Sequence, residues 1–237
     1  MILAECLESC GSVCYNWVMV NKKSLSRKTW REMYRLYLDR GVKLDRPREV
    51  GVAMLVWAIA GFTGWVYEFV VALVETGKVY MQGGNLLPWI NIYAFGAVLV
   101  IPFTYRLRRY PWAVFVIAAV VTGVVELVGG WLVYTVGDGT RYWNYDHGLW
   151  LAGSINGFVC LLSVAIFGLL ALMLIYVVLP VCVSAASRLS QRVFVAVAGV
   201  LFAIVMVDEV ANLCLKNAGV PNAVDLYRSA GWEYQEF

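Results

Sequence analysis

The chain has 237 residues, of which 61% are hydrophobic and only 15% are charged, and its formal net charge is +3. Soluble domains average about 45–50% apolar and about 25% charged residues, so this composition excludes an ordinary soluble protein. Together with a mean hydropathy of +0.70, it predicts an integral membrane protein.

Residues 1–49 form a predicted cytoplasmic segment of amphipathic and basic character. Within it, Cys6, Cys10 and Cys14 recur at every fourth position, so a helix would place the three thiols on one face. A zinc site would need further Cys or His ligands, and a lipidation point is the other functional alternative. Simple packing of the three side chains is the favoured interpretation.

Ten Lys and Arg residues lie between Lys22 and Arg48. Among them, apolar and aromatic residues recur at near-helical spacing: Trp30, Met33, Tyr34, Tyr37 and Leu38. The pattern predicts a helix that lies on the anionic inner leaflet, with membrane lipids as its partners. Nucleic-acid binding, the other partner of basic segments, is disfavoured because a long apolar run follows directly.

Five apolar runs follow that are candidates for membrane spans, because about 20 mostly apolar residues cross roughly 30 Å of hydrocarbon. They are residues 50–74, 89–105, 111–136, 150–180 and 193–214. Each is predicted to be helical, since lipid offers the backbone no hydrogen-bond partners. The predicted fold class is therefore all-α, an integral membrane helical bundle with about five transmembrane helices in residues 50–214.

Lys and Arg are distributed unevenly between the connecting segments. Fifteen of the nineteen lie in residues 22–48, 106–110 and 181–192. The other four are Lys78, Arg141, Lys216 and Arg228. Because positive residues concentrate on the cytoplasmic side, we predict an N-terminus inside and an external C-terminal tail at residues 215–237.

Four carboxylates interrupt the apolar runs: Glu68, Glu126, Asp208 and Glu209. A charge at mid-bilayer costs at least about 2.5 kcal/mol, so such residues normally face the bundle interior or water. At about 1.5 Å of rise per residue, all four lie in the outer half of the predicted membrane. No Lys or Arg lies well inside a span to neutralise them, so they either take up protons or bind a cation.

These acids predict an outward-facing pocket for a cation, a protonated amine or a proton-coupled solute. The predicted substrate- or ion-binding residues are Glu68, Glu126, Asp208, Glu209, Asn91, Asn156, Trp65 and Tyr67. The loop between the third and fourth spans is placed near the mouth of the pocket, with Trp143, Asn144, Asp146 and His147. The alternative is that the polar groups only join helices, at about 0.6 kcal/mol for each hydrogen bond.

His147 is the single histidine of the chain. It could act as an acid or base beside Asp146, but an exposed loop histidine is the favoured interpretation. The sequence contains no G-x-S-x-G, HExxH or Walker A motif. We therefore predict no catalytic residue, no metal and no cofactor, and an enzyme is the less favoured class.

Five short motifs resemble a known bacterial family of multi-span membrane proteins. They are GFTGWVYE (61–68), GNLLPWINIYAFGA (84–97), ELVGGWLVY (126–134), YWNYD (142–146) and GSING (153–157). In this order they resemble the CmpB-like family of ABC-transporter permeases over roughly residues 58–180. The resemblance implies a multi-pass permease of the bacterial inner membrane. Because this chain has no ATPase motif, an ATPase would be a separate partner subunit.

The leading hypothesis is a permease-like transporter for a small molecule or ion, expected to be a homo-oligomer because five helices are few for a transport path. Two other classes stay open: a membrane-embedded enzyme that modifies a lipid, and a non-catalytic assembly or sensor subunit. Residues 76–88, which are rich in glycine, either form a plain external loop or re-enter the membrane.

Overall fold

The structure is a computed structural model, and it describes residues 28–136, 139, 141 and 143–234. The predictions made for Cys6, Cys10 and Cys14 lie outside these residues. The helices are α1 (Trp30–Asp39), α2 (Arg46–Thr76), α3 (Asn91–Thr104), α4 (Pro111–Val136), α5 (Leu161–Met173), α6 (Leu179–Arg188), α7 (Gln191–Asn217) and α8 (Ala223–Ser229). The strands are β1 (Tyr80–Met81) and β2 (Glu233–Tyr234), which pair in parallel.

This architecture confirms the predicted all-α membrane bundle. Within the described part of the chain, four helices are long and apolar enough to cross a membrane: α2, α4, the continuous helix from Leu161 to Arg188, and α7. The continuous helix joins α5 and α6 through a π-helical stretch, Leu174–Val178. The fifth predicted span is the shorter α3, which extends through a 3-10 turn to Leu107. The number of spans and their orientation stay predictions.

The long helices present large apolar side chains to their surroundings. On α4 the exposed residues Val120, Val124, Val128 and Leu132 recur at every fourth position, on one face. A soluble protein would cover such a stripe, whereas lipid tails solvate it without cost. The stripe is therefore the expected lipid-facing side of α4.

Glycines bring the helices close together where they do pack. An added Cβ at Gly64 on α2 would lie 2.1 Å from Cγ of Tyr93 on α3. An added Cβ at Gly168 on α5 would lie 2.7 Å from the Phe115 ring of α4. Between helices in lipid, van der Waals packing at small residues replaces the hydrophobic effect as the source of association.

Helix α1 forms where the basic stretch predicts a helix, but its apolar face is covered by protein. Thr29 and Glu32 form a capping box at its start. Met33 and Tyr37 are buried, and the Tyr37 hydroxyl donates to the Ile175 carbonyl at 2.7 Å. This face therefore packs against the bundle, whereas the sequence predicts that it contacts lipid. The face is covered because α6 and the π-helical stretch offer it an apolar surface. The sequence pattern of α1 alone does not reveal that surface.

The fourth predicted span begins later than expected. Its helix starts at Leu161, whereas the apolar run starts at residue 150. Gly153, Asn156 and Gly157 take positive φ values in the intervening segment, where a regular helix cannot continue. Asn156 consequently lies in an irregular hairpin and not in a membrane helix.

Residues 77–90 run back into the bundle. Helix α2 ends at Thr76, yet the N–H of Ile90 donates to the carbonyl of Gly61 at 3.1 Å. Gly61 lies fifteen residues before the end of α2, which is about 22 Å along the helix. Trp89 is buried against this glycine. The geometry favours the re-entrant alternative over a plain loop, and we refer to residues 77–90 as the re-entrant segment.

Candidate functional site

A cavity of about 1110 Å³ lies among α2, α3, α4 and α5 and extends to α7 and α8. We call it the central cavity. Its acidic lining residues are Glu68, Glu75, Glu126, Glu209 and Asp225. Its aromatic lining residues are Tyr67, Tyr93, Phe95, Trp143, Tyr145, Trp150 and Phe167. Its basic lining residues are Lys216 and Arg228, and both are exposed near the α8 end of the bundle.

Glu68 and Glu126 share this cavity from two facing helices. The Tyr93 hydroxyl donates a hydrogen bond to the Glu68 carboxylate. Glu126 accepts from the Tyr145 hydroxyl at 2.7 Å and from the Ser163 hydroxyl at 2.8 Å. Neither carboxylate forms an ion pair with any residue that the structure describes. Two acids thus face one cavity with neutral hydroxyl partners.

The same arrangement occurs twice in the bundle. Tyr93 is the third residue of α3, and Ser163 is the third residue of α5. Glu68 of α2 and Glu126 of α4 therefore each reach the first turn of the next helix in the chain. The first turn of a helix carries a partial positive charge, which favours a negative group nearby. Irregular chain precedes α3 and α5, and both helices begin inside the bundle, beside these glutamates.

Tyr145 reaches Glu126 from the hairpin between α4 and α5. Its N–H donates to the Gly157 carbonyl at 3.0 Å, and the Arg141 guanidinium donates to the Asn156 carbonyl at 2.8 Å. Burial, followed by the Glu126 charge, raises the pKa of Tyr145. The phenol therefore stays protonated at neutral pH and serves as a hydrogen-bond donor.

The two neighbouring acids of α7 have different surroundings. Asp208 accepts from the backbone N–H of Leu86 at 3.3 Å and of Leu87 at 2.8 Å. Glu209 accepts from the amide side chains of Asn85 at 2.6 Å and Asn91 at 2.7 Å. Both therefore fasten the re-entrant segment and the start of α3 to α7. Glu209 lines the central cavity, whereas Asp208 is not part of its lining.

Of the predicted site residues, eight line the central cavity and four do not. The lining residues are Glu68, Glu126, Glu209, Asn91, Tyr67, Trp143, Asn144 and His147. Outside the lining are Asp208, Asn156, Trp65 and Asp146. Trp65 stacks on Phe62 and Phe69 along its own helix.

Asp146 and His147 are adjacent in sequence, but the Asp146 side chain makes its contacts with other residues. Its carboxylate accepts from the Ser154 hydroxyl at 2.7 Å and lies 3.9 Å from the Arg141 guanidinium. The described contacts thus tie Asp146 into the hairpin. The structure shows no hydrogen bond between the two side chains among the residues that it describes.

The C-terminal segment contributes part of the lining at the α8 end of the cavity. The Tyr227 hydroxyl donates to the Leu86 carbonyl at 2.7 Å, and the N–H of Ala223 donates to the Asn212 side chain at 2.9 Å. Lys78 and Glu233 form a salt bridge at 3.3 Å beside the β1–β2 pair. The tail and the re-entrant segment are therefore joined to each other at this end of the bundle.

Sequence reasoning missed several residues of the lining. Glu75 is one, and it accepts a hydrogen bond from the Trp150 indole. Its position seven residues after Glu68 on an apolar helix was a usable signal, because that spacing returns to the same face. Tyr93 and Tyr145 lie within two of the motifs that carry the family resemblance. Among the described residues, no group of three His, Cys, Asp or Glu side chains is placed to hold a metal ion.

The chain matches a protein-family model. The model of the CmpB family, described as "Putative ABC-transporter type IV", matches residues 55–213, which is more than half of the chain. This stretch includes the whole re-entrant segment and the acids Glu68, Glu75, Glu126, Asp208 and Glu209. No curated protein and no solved structure matches the chain.

Proposed function

Because the chain belongs to this family of type IV ABC-transporter proteins, we propose that it is a permease whose central cavity binds a positively charged or proton-coupled solute from the outer side. Its apolar helices and its family make it a membrane protein of the transporter type. The proposal has three parts: the solute site is acidic, it is reached from outside, and the protein lies in the bacterial inner membrane.

One observation carries the proposal. Glu68 and Glu126 line a single cavity, and their partners are the neutral hydroxyls of Tyr93, Tyr145 and Ser163. A carboxylate in a membrane bundle that lacks a cationic partner is a site for a proton or a cation. A cavity of about 1110 Å³ has room for a small organic solute and its water.

The outer side is supported by the charge distribution. The cavity reaches the α8 end, where the exposed residues Asn144, His147 and Arg228 form part of its lining. The basic segments at residues 28–48, 106–110 and 188–192 lie at the other ends of the long helices. Under the positive-inside rule, the α8 end is therefore outside.

A lipid-modifying enzyme fits the contacts less well. General acid–base catalysis by His147 would need a positioned carboxyl partner. Asp146 is bound to Ser154 instead, in the hairpin. We propose further that an ATPase completes the transporter, because the sequence holds no Walker A motif. A second copy of the chain is also part of the proposal, because five helices are few for a path across the membrane.

The experiment measures whether the cavity prefers cations. Gly129 lines the cavity on α4, three residues after Glu126, and an added Cβ there meets no atom within 4 Å. We replace the six native cysteines by serine and introduce Gly129→Cys. Membrane-impermeant methanethiosulfonates, one trimethylammonium and one sulfonate, are then added to intact cells. After normalisation to a free thiol, the cationic reagent should react on the order of tenfold faster, because of the nearby carboxylates.

The matched control is Ala218→Cys, directly after α7 at the α8 end of the bundle. Ala218 is exposed, so the reagents can reach it, but it lies outside the cavity lining. The control should show no preference for the cationic reagent. Equal normalised rates at Gly129→Cys, or no modification by either reagent, would overturn the proposed acidic, outward-facing cavity.

A further inference from the structure

The spacing of the acids restricts the class of solute that the central cavity can bind. We propose that the central cavity binds an elongated organic diamine or polyamine, whose ammonium groups pair with separate glutamates. This inference rests on the proposed function, because it requires a cation-binding cavity. It names the class of cation that the geometry fits.

The carboxylates are spread along the cavity. Glu68 and Glu75 both line it from α2, and their separation of seven residues corresponds to about 10 Å along the helix. Glu126 faces the cavity from α4 and Glu209 from α7. A single small cation cannot contact acids so far apart, whereas a chain with an ammonium group at each end can.

Each of these four glutamates has only neutral partners among the described residues. Glu68 is bonded to a phenol and Glu75 to an indole. Glu126 is bonded to two hydroxyls, and Glu209 to two side-chain amides. The cavity lining also contains Lys216 and Arg228, but its acidic residues outnumber these two bases. An excess of carboxylates in one cavity calls for a ligand that brings more than one positive charge.

Aromatic rings line the space between the acids. The rings of Tyr67 and Tyr93 lie 5.8 Å apart, those of Tyr93 and Phe167 lie 5.7 Å apart, and those of Tyr145 and Trp150 lie 5.3 Å apart. Such faces attract ammonium groups and also pack against methylene chains. The Tyr67 hydroxyl, which belongs to the cavity lining, makes no hydrogen bond to any residue that the structure describes. It is available to a ligand.

A metal ion fits the lining less well than an amine. Within residues 28–136, 139, 141 and 143–234, no three candidate ligand side chains converge. Hard cations such as Ca²⁺ and Mg²⁺ need six or more oxygen ligands at short distances. The apolar and aromatic walls would leave such an ion poorly solvated.

The test compares two ligands of equal length in binding calorimetry with the purified protein in lipid nanodiscs. The first is 1,8-diaminooctane and the second is 8-amino-1-octanol, which replaces one ammonium by a hydroxyl. We expect the diamine to bind at least about tenfold more tightly. Glu75→Gln should remove this advantage and leave the binding of the amino alcohol unchanged. Glu49→Gln, the same substitution at an exposed position of the same helix, should change neither ligand.

Equal affinity for the two ligands, or a diamine advantage that survives Glu75→Gln, would overturn the diamine inference. Absence of binding by both ligands would also overturn it. In each case, a cation preference at Gly129→Cys would leave the proposed function standing. Loss of that preference would instead show that the proposed function itself is wrong.

Discussion

Replacing Glu68 and Glu126 together by glutamine is expected to abolish the preference of Gly129→Cys for the cationic reagent. At an effective dielectric constant of about 80, as in a water-filled cavity, a unit charge about 8 Å away contributes roughly 0.5 kcal/mol, which is about twofold in the rate of each reagent. Because the two reagents carry opposite charges, each single variant should lower the ratio of normalised rates about fivefold. The double variant should bring the ratio close to one.

The control for this pair is Glu49→Gln, which removes a carboxylate from α2 outside the cavity lining. It should leave the ratio unchanged. Glutamine preserves the shape of glutamate and one of its hydrogen-bond acceptors, so the variants should fold. Size-exclusion chromatography checks that they do. A folded double variant that keeps the full preference would contradict the role assigned to the two acids.

Gly64→Ala is expected to destabilise the protein and to disturb the site at the same time. The added methyl group would lie 2.1 Å from Cγ and 2.6 Å from Cβ of Tyr93, near the base of that side chain, where it cannot move aside easily. Overpacking of this kind costs about 1–3 kcal/mol. The corresponding fall in Tm is roughly 2–12 °C for a chain of this size. Displacement of Tyr93 should also weaken its hydrogen bond to Glu68.

Gly96→Ala provides the comparison, because an added Cβ at Gly96 on α3 meets no atom within 4 Å. Alanine is favoured over glycine inside a helix by about 1 kcal/mol. This variant should therefore have an unchanged or higher Tm in thermal unfolding of the detergent-purified protein. A Gly64→Ala protein as stable as Gly96→Ala would contradict the close approach of α2 and α3.

The bundle could be predicted because its signal is local. The long helices are recognised by runs of apolar residues, which are longer than the runs in a core helix of a soluble protein. The acids are recognised because they interrupt these runs. The start of α5 was missed for a related reason: the apolar composition continues through residues 150–160, and average hydropathy does not register the turns at Gly153 and Gly157. Here backbone conformation, and not polarity, ends the helix.

The partners of the acids could not be predicted because they depend on tertiary depth. Glu68 meets Tyr93 only because the re-entrant segment starts α3 far below the end of α2. Asp208 and Glu209 are adjacent in sequence, and both were predicted as binding residues. On a helix they point about 100° apart, and the structure directs only Glu209 into the cavity lining.

The most direct test of the central claim is an experimental density map of the protein in lipid nanodiscs with 1,8-diaminooctane present. We expect elongated non-protein density in the central cavity, with one end within about 3 Å of the Glu68 or Glu126 carboxylate, at hydrogen-bond distance. The map would contradict the account if lipid acyl chains filled the space between Glu68 and Glu126, or if the two carboxylates faced opposite sides of the bundle.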